Sequence, residues 1–216
     1  MNKNIVLFVL FLLVGFSNFL YSAESSSQAP EYSSDSSAPH KPPVSYEQAL
    51  HIWKTPEDIN GWIAATFSYD MARAVKLSET QRAKNKQLAI YRPFEFFRFK
   101  TGVCVDLSRF GVETLNHIDP GSEPKYLMIE FDPIQVVGNT LRLHWLVSFE
   151  RGGKHYFFAD SKRPGHIAGP YNDTREFINE YALYRGRKIV SFRELESYQK
   201  KRRTKKKKRR KLSKSA

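Results

Sequence analysis

The 216-residue chain holds a single cysteine, Cys104. An intramolecular disulfide is therefore excluded, and so is a thiolate-rich metal site. No cysteine lies near the N-terminal apolar run, which excludes a lipoprotein signal. The histidines and carboxylates form no cluster with metal-ligand spacing, and no calcium-loop pattern occurs, so no metal or other cofactor is expected. No internal repeat is present. Net charge is also small outside one segment. Residues 200–216 carry 12 of the 35 Lys and Arg and no acid, leaving 23 basic residues against 22 acidic ones elsewhere. The net charge of +13 thus belongs to the tail, and charge-based arguments about partners apply there alone.

Residues 1–23 have the three parts of an export signal: a short start with Lys3, an apolar run over residues 5–16, and small residues at Ser22-Ala23. Tyr21 stands where a small residue is usual, and the 19 uncharged residues 5–23 are long enough to span a bilayer. The short apolar run favours a cleaved signal over a retained membrane anchor. The expected location is the periplasm or the exterior. Residues 24–44 are dense in Ser, Pro and Ala and poor in large apolar side chains; they cannot bury enough surface to offset ordering, and read as a tether. Residues 45–199 remain as one domain with a single hydrophobic core.

Two helices open that domain. Ser45-Tyr46-Glu47-Gln48 has capping-box spacing, and Thr55-Pro56-Glu57-Asp58 caps a longer helix through Ile59, Trp62, Ile63, Phe67 and Met71. Residues 78–86 are polar and basic, a short surface helix or a loop. Leu107, Phe110, Gly111 and Leu115 then recur at three- and four-residue steps, predicting a buried helix that ends near Asn116, with Thr101 as its cap and Cys104 in its first turn. There the helix end favours a thiolate. Beyond the turn Asp119-Pro120-Gly121-Ser122 the period becomes two. Strands are predicted over 126–131, 141–150 and 154–160, followed by a helix capped by Asn172 or Asp173 that stops at Gly186. A last strand covers 188–192, and Ser191-Phe192-Arg193-Glu194 starts a short helix. On the 141–150 strand, Leu141, Leu143, Trp145, Val147 and Phe149 mark the core face and His144 points away from it.

An exported thiol at a helix start, a histidine on one strand and an aspartate on the next can perform acyl transfer: imidazole takes the thiol proton, carboxylate orients imidazole, thiolate attacks a carbonyl. Register decides whether the last two meet. A two-residue Gly152-Gly153 turn puts His144 and Asp160 on opposite faces, whereas a three-residue loop puts them across from one another. The three-residue register is expected; opposite faces would remove the triad. Asp106 reads as structural, favourable in the first helical turn, and Gly102 as allowing close backbone approach. The Cys104 backbone N–H is the expected first oxyanion donor, and Trp145, Trp62 and Tyr91 are candidates for the second or for positioning substrate.

Three short blocks carry a family resemblance. Gly102-Val103-Cys104-Val105-Asp106 opening a helix, His144-Trp145 on a strand, and Tyr156-Phe157-Phe158-Ala159-Asp160 on the next resemble the signature blocks of the transglutaminase-like superfamily. Tyr69-Asp70 and Pro93-Phe94-Glu95-Phe96 resemble the approach to the cysteine in bacterial transglutaminase-like cysteine proteinases. The resemblance implies an α+β, papain-like core, with N-terminal helices and a nucleophile-bearing helix start packed on an antiparallel sheet, and Cys104, His144 and Asp160 as a triad. It departs from the bacterial pattern at Val103 and Val105, where acidic residues are common, and at Trp145, which directly follows the histidine.

The expectation is an exported cysteine-dependent enzyme acting on a protein or peptide: peptidase, amidase and transamidase share the first step. The alternative is a non-catalytic module of the same fold that binds an anionic membrane or envelope polymer through residues 200–216. Nucleic acid is disfavoured as the tail's partner, because no aromatic follows Tyr198 to stack on a base.

Overall fold

The computed structural model describes residues 42–84 and 88–199. The expected signal, most of the tether and the polybasic tail fall outside them. Each early helix starts where a side chain can satisfy its free N–H groups. Ser45 caps α1 (Tyr46–Ile52). Thr55 and Asp58 form a reciprocal capping box on α2 (Pro56–Thr66). The helix ends at Phe67, earlier than its apolar spacing predicts, because the chain turns there into a two-residue strand, β1 (Ser68–Tyr69). Met71 instead opens a separate helix, α3 (Met71–Lys76), capped by Asp70, and lies exposed. The polar stretch contains α4 (Glu79–Lys84). Pro93 then starts α5 (Pro93–Phe99), which leads into β2 (Thr101–Gly102), paired in parallel with β1.

The longest helix, α6 (Cys104–Ile118), begins at Cys104. Its N-cap is Val103 rather than Thr101, which β2 holds in pairing with Ser68. A short 3-10 turn (Pro120–Ser122) leads to β3 (Lys125–Val136), β4 (Asn139–Arg151), β5 (Lys154–Phe158) and β6 (Ala168–Tyr171). Asp173 caps α7 (Thr174–Arg185), and Gly186 ends it in a left-handed conformation. The chain closes with β7 (Ile189–Leu195), which runs through the residues expected to start a short helix: they continue the pairing with β3. The five-stranded antiparallel sheet has the order β6-β5-β4-β3-β7. This is the α+β architecture expected.

Two observations fix how the sheet presents its residues. Gly152 and Gly153 both adopt positive φ, 58° and 69°, and Arg151 pairs with Lys154. The β4–β5 connection is therefore the two-residue turn, not the three-residue loop expected; paired glycines supply the two left-handed residues that the tightest hairpin needs. Both faces of the sheet are also buried. On one, Val147, Phe149, Phe158 and Tyr126 pack with Ile63, Phe96, Leu107 and Phe110 from the helical layer. On the other, Leu127, Ile129, Leu146 and Phe157 pack with Phe177, Ile178 and Tyr181 of α7. The face of β4 read as lying away from the core is thus a second core, covered by a helix that strand alternation alone does not reveal.

Candidate active site

Cys104 is held by its helix start. Gly102 immediately precedes the turn, and a Cβ on it would lie 3.1 Å from both Asp106 Cβ and Phe96 Cε2. Only glycine lets the backbone pass that close without displacing them. Asp106, fully buried, takes four hydrogen bonds. Its Oδ2 accepts from Val103 N (3.1 Å) and Arg73 Nε (2.6 Å), and its Oδ1 from Tyr91 N (2.9 Å) and Arg73 Nη2 (2.8 Å). Arg73 in turn donates to the Ala89 carbonyl and lies 3.6 Å over the Tyr91 ring. One carboxylate thereby ties α3, the 89–91 segment and the first turn of α6 together. Farther along α6, Gly111 sets the distance to the sheet: a Cβ there would stand 2.6 Å from Val147 Cγ2 and 2.7 Å from Phe158 Cε2.

The thiol is buried, with 9% of Cys104 exposed. Burial pushes its pKa up to about 12, and the charges of Asp160 and Asp106 add to the rise; the Trp145 and Val105 backbone N–H groups oppose it. The thiolate expected at a helix start is therefore not the resting form, because desolvation outweighs the helix end.

His144 sits on β4 opposite Ile129, 7% exposed, with its ring stacked on Tyr181 of α7 at 5.9 Å and 23°. Burial lowers its pKa to about 3, helped by the nearby Arg185 and Arg187, while a hydrogen bond to the Asp160 backbone opposes the drop. Its Nε2 is buried without a partner, so the hydrogen bond to the Asp160 carbonyl belongs to Nδ1. That bond makes Nδ1–H the donor and leaves the Nε2 lone pair free.

Asp160 lies beyond the end of β5. Continuing the register would place it opposite Trp145, on the other face from His144, but Ala159 and Asp160 have φ of 81° and 116°. The pleat is broken before Asp160, so strand parity no longer decides its direction. Its backbone carbonyl serves His144 and accepts from Tyr181 Oη at 3.4 Å. Its carboxylate, pushed up to about 6 by burial and pulled back by Arg185, forms no ion pair within 4.0 Å among the described residues. The expected carboxylate–imidazole contact is replaced here by a carbonyl–imidazole one.

Cys104, His144 and Trp145 line one cleft of about 250 Å³, with Tyr69 and Val103 on the helical side, Phe131 and Leu143 on the sheet, Arg185 at the last position of α7 and Arg187 just beyond it, and Tyr198 at the C-terminal side. Trp62 is elsewhere: it stacks on Phe97 at 4.7 Å inside the aromatic core beneath the helices. Tyr91 is also outside the cleft and acts through its backbone N–H in the Asp106 clamp. Trp145 reaches the sulfur with its backbone N–H. Sequence reasoning did not find Arg73, Tyr181, Arg185 or Arg187. Arg73 pairs with Asp106 across 33 residues, a separation with no local signature, and Tyr181 was legible only as part of an apolar helix face.

No curated protein matches the chain. A family model described as a transglutaminase-like domain matches residues 47–183. That span runs from the second residue of the first helix to two residues short of the end of α7 and contains the cysteine-bearing helix start, the histidine strand and Asp160, and by it the chain belongs to the transglutaminase-like family.

Proposed function

We propose that this protein is an exported cysteine-dependent acyl-transfer enzyme acting on a protein or peptide amide, related in activity to the bacterial transglutaminase-like cysteine proteinases. The observation that carries the proposal is the His144 Nε2 atom, buried and without a partner, in the cleft that Cys104 also lines, with Nδ1 held by the Asp160 carbonyl. A buried acceptor left open is costly unless a proton donor uses it. In the reaction Cys104 Sγ bonds to the substrate carbonyl carbon as its thiol proton passes to His144 Nε2. Collapse of the tetrahedral adduct breaks the C–N bond, and the leaving amine takes that proton. A thioester on Cys104 remains, resolved by water or by another amine. In this reading the backbone N–H groups of Cys104 and Trp145 donate to the oxyanion, and Asp160 keeps the imidazole in the productive tautomer.

p-Nitrophenyl acetate tests the first step without knowledge of the natural substrate. The wild type should release p-nitrophenolate and carry an acetyl group on Cys104 by mass spectrometry. Cys104→Ala should carry none, and His144→Gln should acylate on the order of 100-fold more slowly. Acylation that persists in Cys104→Ala, or is unchanged in His144→Gln, would sink the proposal. The alternative of a binding module carried by residues 200–216 makes the opposite forecast: association with anionic vesicles that needs the tail, weakens steeply with salt and ignores Cys104.

A further inference from the structure

The cleft beside Cys104 contains three arginines with different surroundings. Arg142 is neutralised, its guanidinium paired with Glu79 and Glu130. Arg185 and Arg187 have no such partner: among the described residues no carboxylate lies within 4.0 Å of either. Arg187 lies 4.6 Å over the Phe131 ring and donates from Nη2 to the Asp132 carbonyl at 2.7 Å, while its Nε is buried without a partner. Arg185 lies 5.7 Å over the Tyr181 ring, the same ring that stacks on His144. Burial lowers the Arg187 pKa, and repulsion from Arg185 adds to the drop, while the Asp132 charge opposes it. The carboxylates whose charges reach them, Asp160 for Arg185 and Asp132 for Arg187, stand farther off than an ion pair. Arginine without a direct ion-pair partner in a concave site next to reactive groups is suited to receiving a planar anion, since its fork of N–H donors matches a carboxylate.

We propose that Arg185 and Arg187 form a carboxylate-binding subsite of this cleft, so that the acyl donor carries a carboxylate a few bonds from the amide attacked. The inference rests on the reading of Cys104 and His144 as the reacting pair for its role in substrate choice, but not for the binding itself. The carboxylate can be an α-carboxylate at a chain end or a side-chain carboxylate; both present the same two oxygens. Phe131 and Tyr181 supply flat apolar walls under the two guanidiniums, which keeps water from screening the pair as fully as it would on an open surface.

Binding can be measured without turnover, on full-length wild-type and Cys104→Ala protein, by NMR titration. The probes are N-acetylglycine, with an α-carboxylate, N-acetylaspartic acid 1-amide, with a side-chain carboxylate, and the uncharged N-acetylglycinamide. At least one acid should bind about tenfold more tightly than the uncharged amide to both proteins, with the shifted backbone amides including Trp145. Arg185→Gln/Arg187→Gln should abolish the preference, whereas Arg98→Gln, which removes an exposed charge outside the cleft, should keep it. Should the double variant not fold, Arg185→Gln alone should lose at least about threefold. Equal binding of acids and amide, a preference that survives loss of the arginines, or inorganic phosphate binding more tightly than either acid would overturn the assignment. Since no turnover is read, an inactive enzyme that retains the preference would overturn the catalytic proposal alone.

Discussion

Replacing Asp106 by Asn should destabilise the domain by about 3–5 kcal/mol, the usual loss when one partner of a buried ion pair is removed. The size follows from how its oxygens are used. Each accepts two hydrogen bonds, Oδ1 from Tyr91 N and Arg73 Nη2, Oδ2 from Val103 N and Arg73 Nε. In either amide orientation the new NH2 replaces one oxygen, so two bonds are lost and two donors face a third. The Arg73 guanidinium, 5% exposed, is also left without its counter-charge. Against a total stability of about 5–15 kcal/mol this is a large fraction, though not enough to unfold every molecule. Urea unfolding of wild type, Asp106→Asn, Arg73→Met and the double variant measures it, provided the denaturant slope is unchanged. The double variant should be much closer to wild type than the sum of the singles, because it removes both charges together. Below about 1 kcal/mol for Asp106→Asn, or additive singles, the account of this clamp is wrong.

His144 has a folded pKa of about 3 against 6.5 for the free side chain, so below about pH 6.5 the unfolded chain takes up a proton that the folded one refuses. Stability should therefore fall as pH drops, by about 2–3 kcal/mol between pH 7.5 and pH 4.5, and His144→Gln should remove most of that slope in urea unfolding at the two pH values. Asp160, raised to about 6, has the opposite sign: its contribution is fully present below about pH 4 and is lost as pH rises through about 6, so the variant lacking His144 should show a shallow gain on acidification. Gly111→Ala should lower stability by about 1–3 kcal/mol or more, since its Cβ would enter Val147 and Phe158 and helix and sheet would have to part; a thermal shift of less than a degree would refute that.

The local part of this fold was legible. Ser45, Thr55 and Asp173 act as caps because each places an oxygen over its own helix's free N–H groups, a relation fixed by three residues of sequence. Period-two alternation located β3 and β4, and the spacing after Cys104 located α6. Long-range choices were not legible. Gly152-Gly153 allows two turns, and the choice between them settles the register of the whole hairpin. The covering of His144 by α7 depends on a helix thirty residues downstream returning to the sheet. Asp160 could not be placed by parity, because the left-handed conformations at Ala159 and Asp160 occur in residues whose side chains give no signal for them. The Val103 cap escaped notice because the capping oxygen comes from Asp106 inside the helix, leaving the N-cap residue itself apolar.

The resting protonation of the pair follows from comparing magnitudes. A helix end stabilises a nearby negative charge by at most about 2 kcal/mol. Raising the Cys104 pKa from 9.0 to about 12 corresponds to about 4 kcal/mol against the thiolate. Burial wins, and the free protein holds a neutral thiol and a neutral imidazole. His144 is then a weak base until its surroundings change. Of the forces that depress it, burial is fixed by Tyr181 and Phe131, but the charges of Arg185 and Arg187 can be cancelled. A carboxylate bound to those guanidiniums would raise the basicity of His144. Its effect on Cys104 would be smaller, since the charges bearing on the sulfur are those of Asp160 and Asp106. An anionic substrate would thus strengthen the base more than it hinders the nucleophile, and an acyl donor without the carboxylate would meet a pair still held neutral. On this argument the uncharged analogue of a good substrate loses rate in the acylation step itself, not only affinity.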